Sequence, residues 1–177
     1  MRKLSNRELN RKHVDEFKDA GKTPVIIILD NVRSLLNIGS IFRTADAFLV
    51  EAIYLTGICA CPPDKDIQKT ALGATETVTW KYFEKVEDAA KDAQGKGYEL
   101  VLIEQTDKSV SLPEYLPSKT HSGVALVFGN EVKGVSESLL ALSDLAVEVP
   151  QFGSKHSFNI AVCAGIVLYD VYQKIHK

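Results

Sequence analysis

Three polar segments of the chain contain residue types that bind anions or take part in proton transfer, and each follows a predicted buried strand. The first, residues 30–43, places Asn37, Ser40 and Arg43 at the opening of a predicted helix. Free N–H groups at a helix N-terminus and the guanidinium fork of an arginine both suit phosphate or carboxylate. The competing structural interpretation makes Asn37 an N-cap and Arg43 a solvated helix residue, and taken alone this segment favours it.

The second segment, residues 129–134, reads Gly-Asn-Glu-Val-Lys-Gly. Its two glycines allow positive φ angles and close backbone approach to a ligand. Glu131 between them could accept hydrogen bonds from a substrate or orient Arg43, although a simple turn into the next helix explains the segment equally well. It is not a Walker loop, because Val-Ser stands where Lys-Ser or Lys-Thr is required. No G-x-G-x-x-G occurs either, which excludes a dinucleotide site of that type.

The third segment, residues 149–159, is a loop that begins Val-Pro and ends at the start of a predicted helix. Ser157 and Asn159 lie at that start, and the structural alternative makes Ser157 the N-cap. His156 invites a Ser-His-acid interpretation, but the chain has no G-x-S-x-G nucleophile elbow, which argues against a hydrolase. The other histidines lack the spacing of metal ligands, so we expect no metal site.

The elements that must position these segments alternate between strands and helices. Apolar runs predict strands over residues 24–30, 52–56, 77–83, 99–104, 124–128 and 145–149. Apolar residues at helical spacing predict helices over residues 38–48, 84–94, 136–142 and 158–175. Strands without polar alternation are buried on both faces, which indicates a parallel α/β sheet with helices on both sides. Ligands in such sheets bind beyond the carboxyl ends of the strands. The three segments, together with residues 104–107, therefore mark the expected site.

Length and charge point to one domain with a basic N-terminal arm. The chain has 177 residues, 45% of them hydrophobic, and a net charge of −2. Residues 1–24 contain seven Lys and Arg against four Asp and Glu, a net of +3, so the rest carries −5. We therefore divide the chain into an arm, residues 1–23, predicted to be helical over 1–22, and a body, residues 24–177. With about 23 residues before the first strand, we expect no appended RNA-binding domain.

Cysteine use and hydropathy suggest a cytoplasmic protein. The three cysteines are odd in number, and one lies in an apolar helical stretch, so a disulfide framework is not expected. The N-terminal residues are polar where a signal peptide has its apolar core. The longest apolar run, residues 160–168, is shorter than the roughly 20 residues that cross a bilayer. We therefore expect no membrane association.

Taken together, the three segments resemble the ordered motifs of a known family. They read Asn37-Ile-Gly-Ser-Ile-Phe-Arg43-Thr-Ala-Asp46, then Leu126-Val-Phe-Gly129-Asn-Glu131-Val-Lys-Gly134, then Val149-Pro150-Gln followed by Ser157-Phe-Asn159-Ile-Ala. These strings are similar to the motifs of SpoU-type (TrmH-like) RNA ribose methyltransferases of the SPOUT superfamily. The similarity extends from about Pro24 to the C-terminus.

The resemblance implies a parallel-sheet α/β fold with a C-terminal trefoil knot, an architecture that residue spacing alone does not suggest. It implies methyl transfer from S-adenosylmethionine to a ribose 2′-OH of structured RNA, leaving S-adenosylhomocysteine. We expect transfer RNA as the first candidate substrate and ribosomal RNA as the second. The family also forms homodimers through the knot and builds its site from both chains. The apolar final helix, including Ile160, Val167 and Val171, is compatible with such a dimer.

The resemblance also assigns roles to individual residues. Arg43 matches the catalytic arginine. Because an arginine side chain stays cationic in proteins, stabilisation of the developing alkoxide is favoured over action as a base. The residues expected to hold Arg43 and the ribose in position are Asn37, Glu131, Ser157 and Asn159. The residues expected to bind the cofactor are Gly129, Val149, Phe158, Gln105, Thr106, Gly134 and Pro150. Phe158 stands where the family usually has Leu, so its contact should remain apolar with a different shape.

Two other functions remain open from the sequence. A non-catalytic RNA-binding or S-adenosylmethionine-binding module would use the basic arm to bind phosphates without chemistry. The arm's charges are also explained by a solvated helix face. Methylation of a base instead of a ribose occurs in other branches of the superfamily, although the Asn…Arg motif favours ribose.

Overall fold

The fold is organised around a parallel sheet of seven strands. The computed structural model describes residues 1–177, except for the side chains of Asn6 and Arg7. The strands are β1 (Thr23–Asp30), β2 (Val50–Thr56), β3 (Thr79–Phe83), β4 (Tyr98–Ile103), β5 (Val110–Ser111), β6 (Gly123–Phe128) and β7 (Leu145–Glu148). Their order in the sheet is β3-β2-β1-β6-β4-β7-β5, and every neighbouring pair is parallel. The carboxyl ends of β1, β6, β4 and β7 therefore lie along one edge.

Helices cover both faces of the sheet. They are α1 (Val14–Asp19), α2 (Leu35–Ala47), α3 (Lys65–Ala71), α4 (Ala74–Thr77), α5 (Val86–Gly95) and α6 (Ile160–Ile175), with 3-10 turns at Asn6–Leu9 and Glu137–Leu139. The odd-numbered apolar side chains of β1, such as Ile27, pack with α2, α3 and α6. The even-numbered ones, such as Ile28, pack with α5. Two cores result because successive strand residues point to opposite faces.

The predicted α/β fold with a parallel sheet is confirmed, and all six predicted strands are present to within a few residues. The helix predicted over residues 136–142 is wrong in extent, because only a 3-10 turn, Glu137–Leu139, forms there. The strand predicted from residue 77 begins at Thr79, since α4 occupies Ala74–Thr77. Three elements escaped the sequence analysis: α3, α4 and the two-residue β5.

The basic arm is only partly helical and is anchored to the body by one aromatic residue. Helical structure within residues 1–22 is limited to Asn6–Leu9 and α1. Phe17 on α1 is 3% exposed and belongs to the core cluster on the α2 side of the sheet. The division between residues 1–23 and 24–177 remains a prediction, and the Phe17 contact shows that the two parts pack together.

The final helix α6 presents a different apolar face to solvent from the one the sequence suggested. Ile160, Val167 and Val171 are buried in the chain's own core, so they are not available to a partner. Val162, Ile166 and Tyr169 are exposed instead. No helix in the described part of the chain is long and apolar enough to cross a membrane.

Helix α2 approaches α3 closely at Gly39. A Cβ added to Gly39 would overlap the carbonyl oxygen of Ile67 and the hydroxyl of Thr70. The same hydroxyl donates a hydrogen bond to the carbonyl oxygen of Leu36 at 2.9 Å, so α3 is fixed against the first turns of α2. The orientation of α2 therefore depends on the absence of a side chain at residue 39.

We predict that Gly39→Ala lowers the free energy of unfolding by about 1–3 kcal/mol, because the added methyl group forces α2 and α3 apart. Chemical denaturation followed by circular dichroism measures this change. Gly95→Ala is the control, since a Cβ at the end of α5 meets no atom within 4 Å. Equal stability of Gly39→Ala and the wild type would show that the two helices are not in tight contact.

Candidate active site

A chain of side-chain hydrogen bonds joins the three polar segments at the carboxyl edge of the sheet. The carboxylate of Glu131 accepts hydrogen bonds from the backbone N–H groups of Arg33 and Ser34, each at 3.3 Å. It also accepts one from the side-chain amide of Asn37 at 3.4 Å. The amide oxygen of Asn37 in turn accepts from the amide of Asn159 at 3.2 Å. Glu131, Asn37 and Asn159, which we name the motif bridge, connect the loop after β6 with the starts of α2 and α6.

The bridge coexists with helix capping at the starts of α2 and α6. Ser34 is the N-cap of α2, and its hydroxyl accepts from the backbone N–H of Asn37 at 3.3 Å. Asn159 is the N-cap of α6, and its oxygen accepts from the N–H groups of Ala161 and Val162. The structural alternatives that made Asn37 and Ser157 the N-caps are therefore wrong, because each true cap lies at a different residue.

The charge state of Glu131 suits its role as an acceptor. Burial raises the pKa of Glu131. Hydrogen bonds from backbone N–H groups, including those of Arg33 and Ser34, and from the Asn37 amide lower the pKa by more than burial raises it. The net pKa lies below its ordinary value, so Glu131 is ionised at neutral pH. An ionised carboxylate is an acceptor only, which fits its position beside three donors.

The loop of residues 129–134 is held in one shape by its own hydrogen bonds. Asn130 and Gly134 exchange two backbone hydrogen bonds of 2.9 Å. The side-chain oxygen of Asn130 accepts from Val132 N at 2.9 Å and Lys133 N at 3.1 Å. The predicted positive φ occurs at Gly134 (69°), whereas Gly129 is needed because a Cβ there would overlap the backbone of Gly134.

A cavity of about 800 Å³ opens between this loop, the carboxyl ends of β4 and β7, and the start of α6. The predicted site residues that line it are Gly129, Glu131, Gly134, Val149, Ser157, Phe158, Asn159, Gln105 and Thr106. Asn37 is not part of the lining and reaches the cavity edge only through the motif bridge. Pro150 is also outside the lining, between the lining residues Val149 and Gln151.

Arg43 lies apart from the other predicted catalytic residues. It is exposed on α2 and does not line the cavity. It follows Asn37 by six residues, which corresponds to about 9 Å along a helix axis. Within one chain, the structure therefore does not bring the predicted catalytic arginine to the predicted cofactor residues.

Two further lining residues, Glu104 and Cys163, were given no individual role by the sequence analysis, although residues 104–107 were marked as part of the expected site. Glu104, directly after β4, accepts hydrogen bonds from Gln105 N at 2.9 Å and Val135 N at 3.0 Å, which ties two walls of the cavity together. Cys163 lies one turn beyond Asn159, and burial together with the charge of Glu104 raises the pKa of its thiol to about 11. The sequence offered one signal for each: Glu104 follows a strand end, and Cys163 lies four residues after the predicted site residue Asn159.

Comparison with known proteins identifies the family. The model of the SpoU rRNA Methylase family matches residues 24–169, so the chain belongs to this family. A tRNA (guanosine(18)-2'-O)-methyltransferase of Aquifex aeolicus is 28% identical over 171 residues, covering 94% of this chain and 77% of that protein. The 23S rRNA (guanosine-2'-O-)-methyltransferase RlmB of Vibrio cholerae is 26% identical and covers 95% of this chain. This chain spans 66% of the length of RlmB.

Solved structures have the same fold. The A. aeolicus TrmH/SpoU tRNA modifying enzyme superposes with a TM-score of 0.79 at 24% identity, covering 92% of this chain and 81% of that one. The AdoMet-bound rRNA methyltransferase of Sinorhizobium meliloti gives 0.78 at 25% identity, covering 89% of this chain and 59% of that one. The resemblance to SpoU-type enzymes that the motifs indicated is thereby confirmed.

The cavity fits S-adenosylmethionine, the cofactor of this family. Its volume is within the roughly 300–1,000 Å³ of small-molecule sites. Its lining includes the apolar residues Ile103, Val149 and Phe158 together with the acidic residue Glu104. A Cβ at Gly134 would overlap that carboxylate, so the wall keeps its shape only with glycine there.

We predict that Gly134→Ala weakens S-adenosylmethionine binding at least about tenfold, because the residue has a positive φ and its new methyl group displaces Glu104. Isothermal titration calorimetry measures the affinity. Gly153→Ala, in the loop between β7 and α6, is the matched control, since its Cβ meets no atom within 4 Å. Wild-type affinity in Gly134→Ala would contradict the placement of the cofactor in this cavity.

Proposed function

We propose that the protein methylates a ribose 2′-OH in transfer or ribosomal RNA with the residues named above. Membership of the SpoU family makes it an S-adenosylmethionine-dependent RNA 2′-O-methyltransferase. The observation that carries the assignment of residues is the motif bridge, which holds three polar side chains at the rim of the cofactor cavity. The identity of the RNA and the role of each residue belong to the proposal.

The reaction needs a methyl donor, a nucleophile and control of one proton. When bound, S-adenosylmethionine would supply an electrophilic methyl group and leave as S-adenosylhomocysteine. The 2′-hydroxyl that accepts the methyl group would release its proton to solvent. Arg43 stabilises the negative charge that develops on the oxygen, since its guanidinium stays protonated and cannot act as the base. Glu131, Asn37, Ser157 and Asn159 hold the ribose in line with the methyl group.

Arg43 reaches the cavity from a second copy of the chain in this proposal. It lies outside the cavity of its own chain, so a complete site needs another source of the cation. Val162, Ile166 and Tyr169, at i, i+4 and i+7 on α6, form an exposed apolar face suited to a homodimer. A two-fold dimer on this face would contain two equivalent composite sites.

A trefoil knot near the C-terminus also belongs to the proposal. The loop of residues 129–134 and the segment of residues 149–159 both line the cavity, and the side chain of Asn37 bridges them. The family resemblance implies that loops of the knot hold the cofactor. A knotted backbone would keep the cavity walls together without a disulfide.

Transfer RNA is the first proposed substrate and ribosomal RNA the second. The relatives include both a tRNA guanosine methyltransferase and several 23S rRNA guanosine methyltransferases. A cytoplasmic location accompanies either substrate. The alternative, a non-catalytic binding module, is disfavoured because the polar groups of the motif bridge are all retained and mutually bonded.

We predict that Arg43→Ala lowers methyl transfer at least about 100-fold, because the alkoxide loses its stabilising charge. Transfer of labelled methyl groups to unmodified tRNA and rRNA, followed by mapping of the modified nucleotide, measures activity and distinguishes ribose from base. Cofactor affinity, measured by calorimetry, should stay within a few-fold of wild type.

Lys91→Ala is the control for loss of a cation, since Lys91 is exposed on α5 at the opposite face of the sheet. Loss of cofactor binding in Arg43→Ala would show that the arginine is part of the cofactor site instead. A wild-type protein that transfers no methyl group to either RNA would favour the binding module.

A further inference from the structure

A second cavity of about 830 Å³ adjoins the cofactor cavity and has no role in the mechanism above. It lies beyond the carboxyl end of β1, and residues 132–135 of the neighbouring loop line both cavities. The side chains at its wall include Asn31, Arg33, Ile58, Val132, Lys133 and Glu137. Because the two cavities share a wall, an RNA with a ribose at the rim of the cofactor cavity would pass close to the second cavity.

The base of the second cavity is built from groups that already have partners. Asp30 is fully buried, and its carboxylate accepts hydrogen bonds from Ser136 N at 2.6 Å, Ser136 Oγ at 3.0 Å and Asn31 Nδ2 at 2.8 Å. The amide oxygen of Asn31 accepts from Ile58 N at 3.2 Å. These bonds fix β1, the loop after β2 and residue 136 relative to one another. They make a preformed wall whose own polar groups are satisfied.

The groups left for a ligand are two cations and two apolar side chains. Arg33 and Lys133 are exposed at the cavity, against one exposed carboxylate, that of Glu137. Ile58 is 63% exposed and Val132 is 79% exposed. Cations beside exposed apolar surface suit a ligand that is anionic at one end and flat and weakly polar at the other. A nucleotide has this combination in its phosphate and its base.

The backbone of Arg33 is tied to the predicted catalytic centre. Its N–H donates to Glu131, which also holds Asn37 in the motif bridge. A phosphate bound by the Arg33 guanidinium would therefore be placed relative to the ribose site by a short, hydrogen-bonded path. Arginine suits this contact, since its planar fork can bind two phosphate oxygens at once.

We propose that the second cavity binds a nucleotide of the RNA substrate next to the one that is methylated. Arg33 and Lys133 contact its phosphate, and Ile58 and Val132 contact its base. This proposal rests on the proposed function and adds a site that positions the RNA. Since Lys133 also lines the cofactor cavity, Arg33 and Ile58 are the residues whose substitution tests the second cavity alone.

The test measures RNA binding by fluorescence anisotropy between 50 and 200 mM KCl, with labelled, unmodified tRNA and rRNA transcripts as probes. We expect Arg33→Ala to bind several-fold more weakly and to lower the slope of log Kd against log salt by about 0.7–0.9, the value for one lost phosphate contact. Ile58→Ala should weaken binding at every salt concentration without changing the slope. Lys91→Ala is the control and should change neither quantity.

Calorimetry with S-adenosylmethionine shows whether each variant is folded, because Arg33 and Ile58 do not line the cofactor cavity. Arg33→Gln replaces Arg33→Ala if the latter loses the cofactor. If the Arg33 and Ile58 variants keep the wild-type RNA affinity and salt slope while the wild-type protein methylates RNA, only the nucleotide site in the second cavity is contradicted. A wild-type protein that binds and methylates no RNA would overturn the proposed function as well.

Discussion

The site depends on the hydrogen bonds accepted by the carboxylate of Glu131, because they join parts of the chain that the sheet alone does not bring into contact. The carboxylate accepts from two N–H groups that precede α2 and from the amide of Asn37 inside α2. Asn37 then holds Asn159 at the start of α6. The three polar segments already start from fixed places, because each follows a buried parallel strand or leads into a helix. A small set of hydrogen bonds is therefore enough to set their relative positions.

This arrangement has a consequence for catalysis that follows from the geometry of a helix. The motif bridge ties Asn37, in the first turn of α2, to the cavity edge, whereas Arg43, six residues later, lies outside the cavity lining. The close contact of Gly39 with α3 fixes the first turns of α2 against α3. In the proposed mechanism a second chain supplies the cation, and Val162, Ile166 and Tyr169 of α6 are exposed apolar residues that suit a contact between chains.

The sequence was sufficient to predict the sheet, because all-apolar runs such as those of β1 and β6 are typical of buried parallel strands. It was insufficient for α3, whose apolar face consists of little more than Ile67 and Ala71. The family motifs indicated most cavity residues. The motif bridge joins residues 94 and 122 positions apart, and no local spacing reports such contacts. Glu104 lay in a segment marked as part of the site but received no role, because an acidic residue at a strand end is common.

The central claim is that cofactor and cation act from different chains, and a mixed dimer tests it most directly. Arg43→Ala keeps the cofactor cavity, and Gly134→Ala keeps the arginine. With S-adenosylmethionine held well below the wild-type Kd, each variant alone should therefore retain at most about a tenth of wild-type activity. If the site is shared, random mixing of the two produces heterodimers with one complete site, and about a quarter of wild-type methyl transfer should return. If activity does not rise after mixing, although heterodimers form, Arg43 acts within its own chain and the composite site is contradicted.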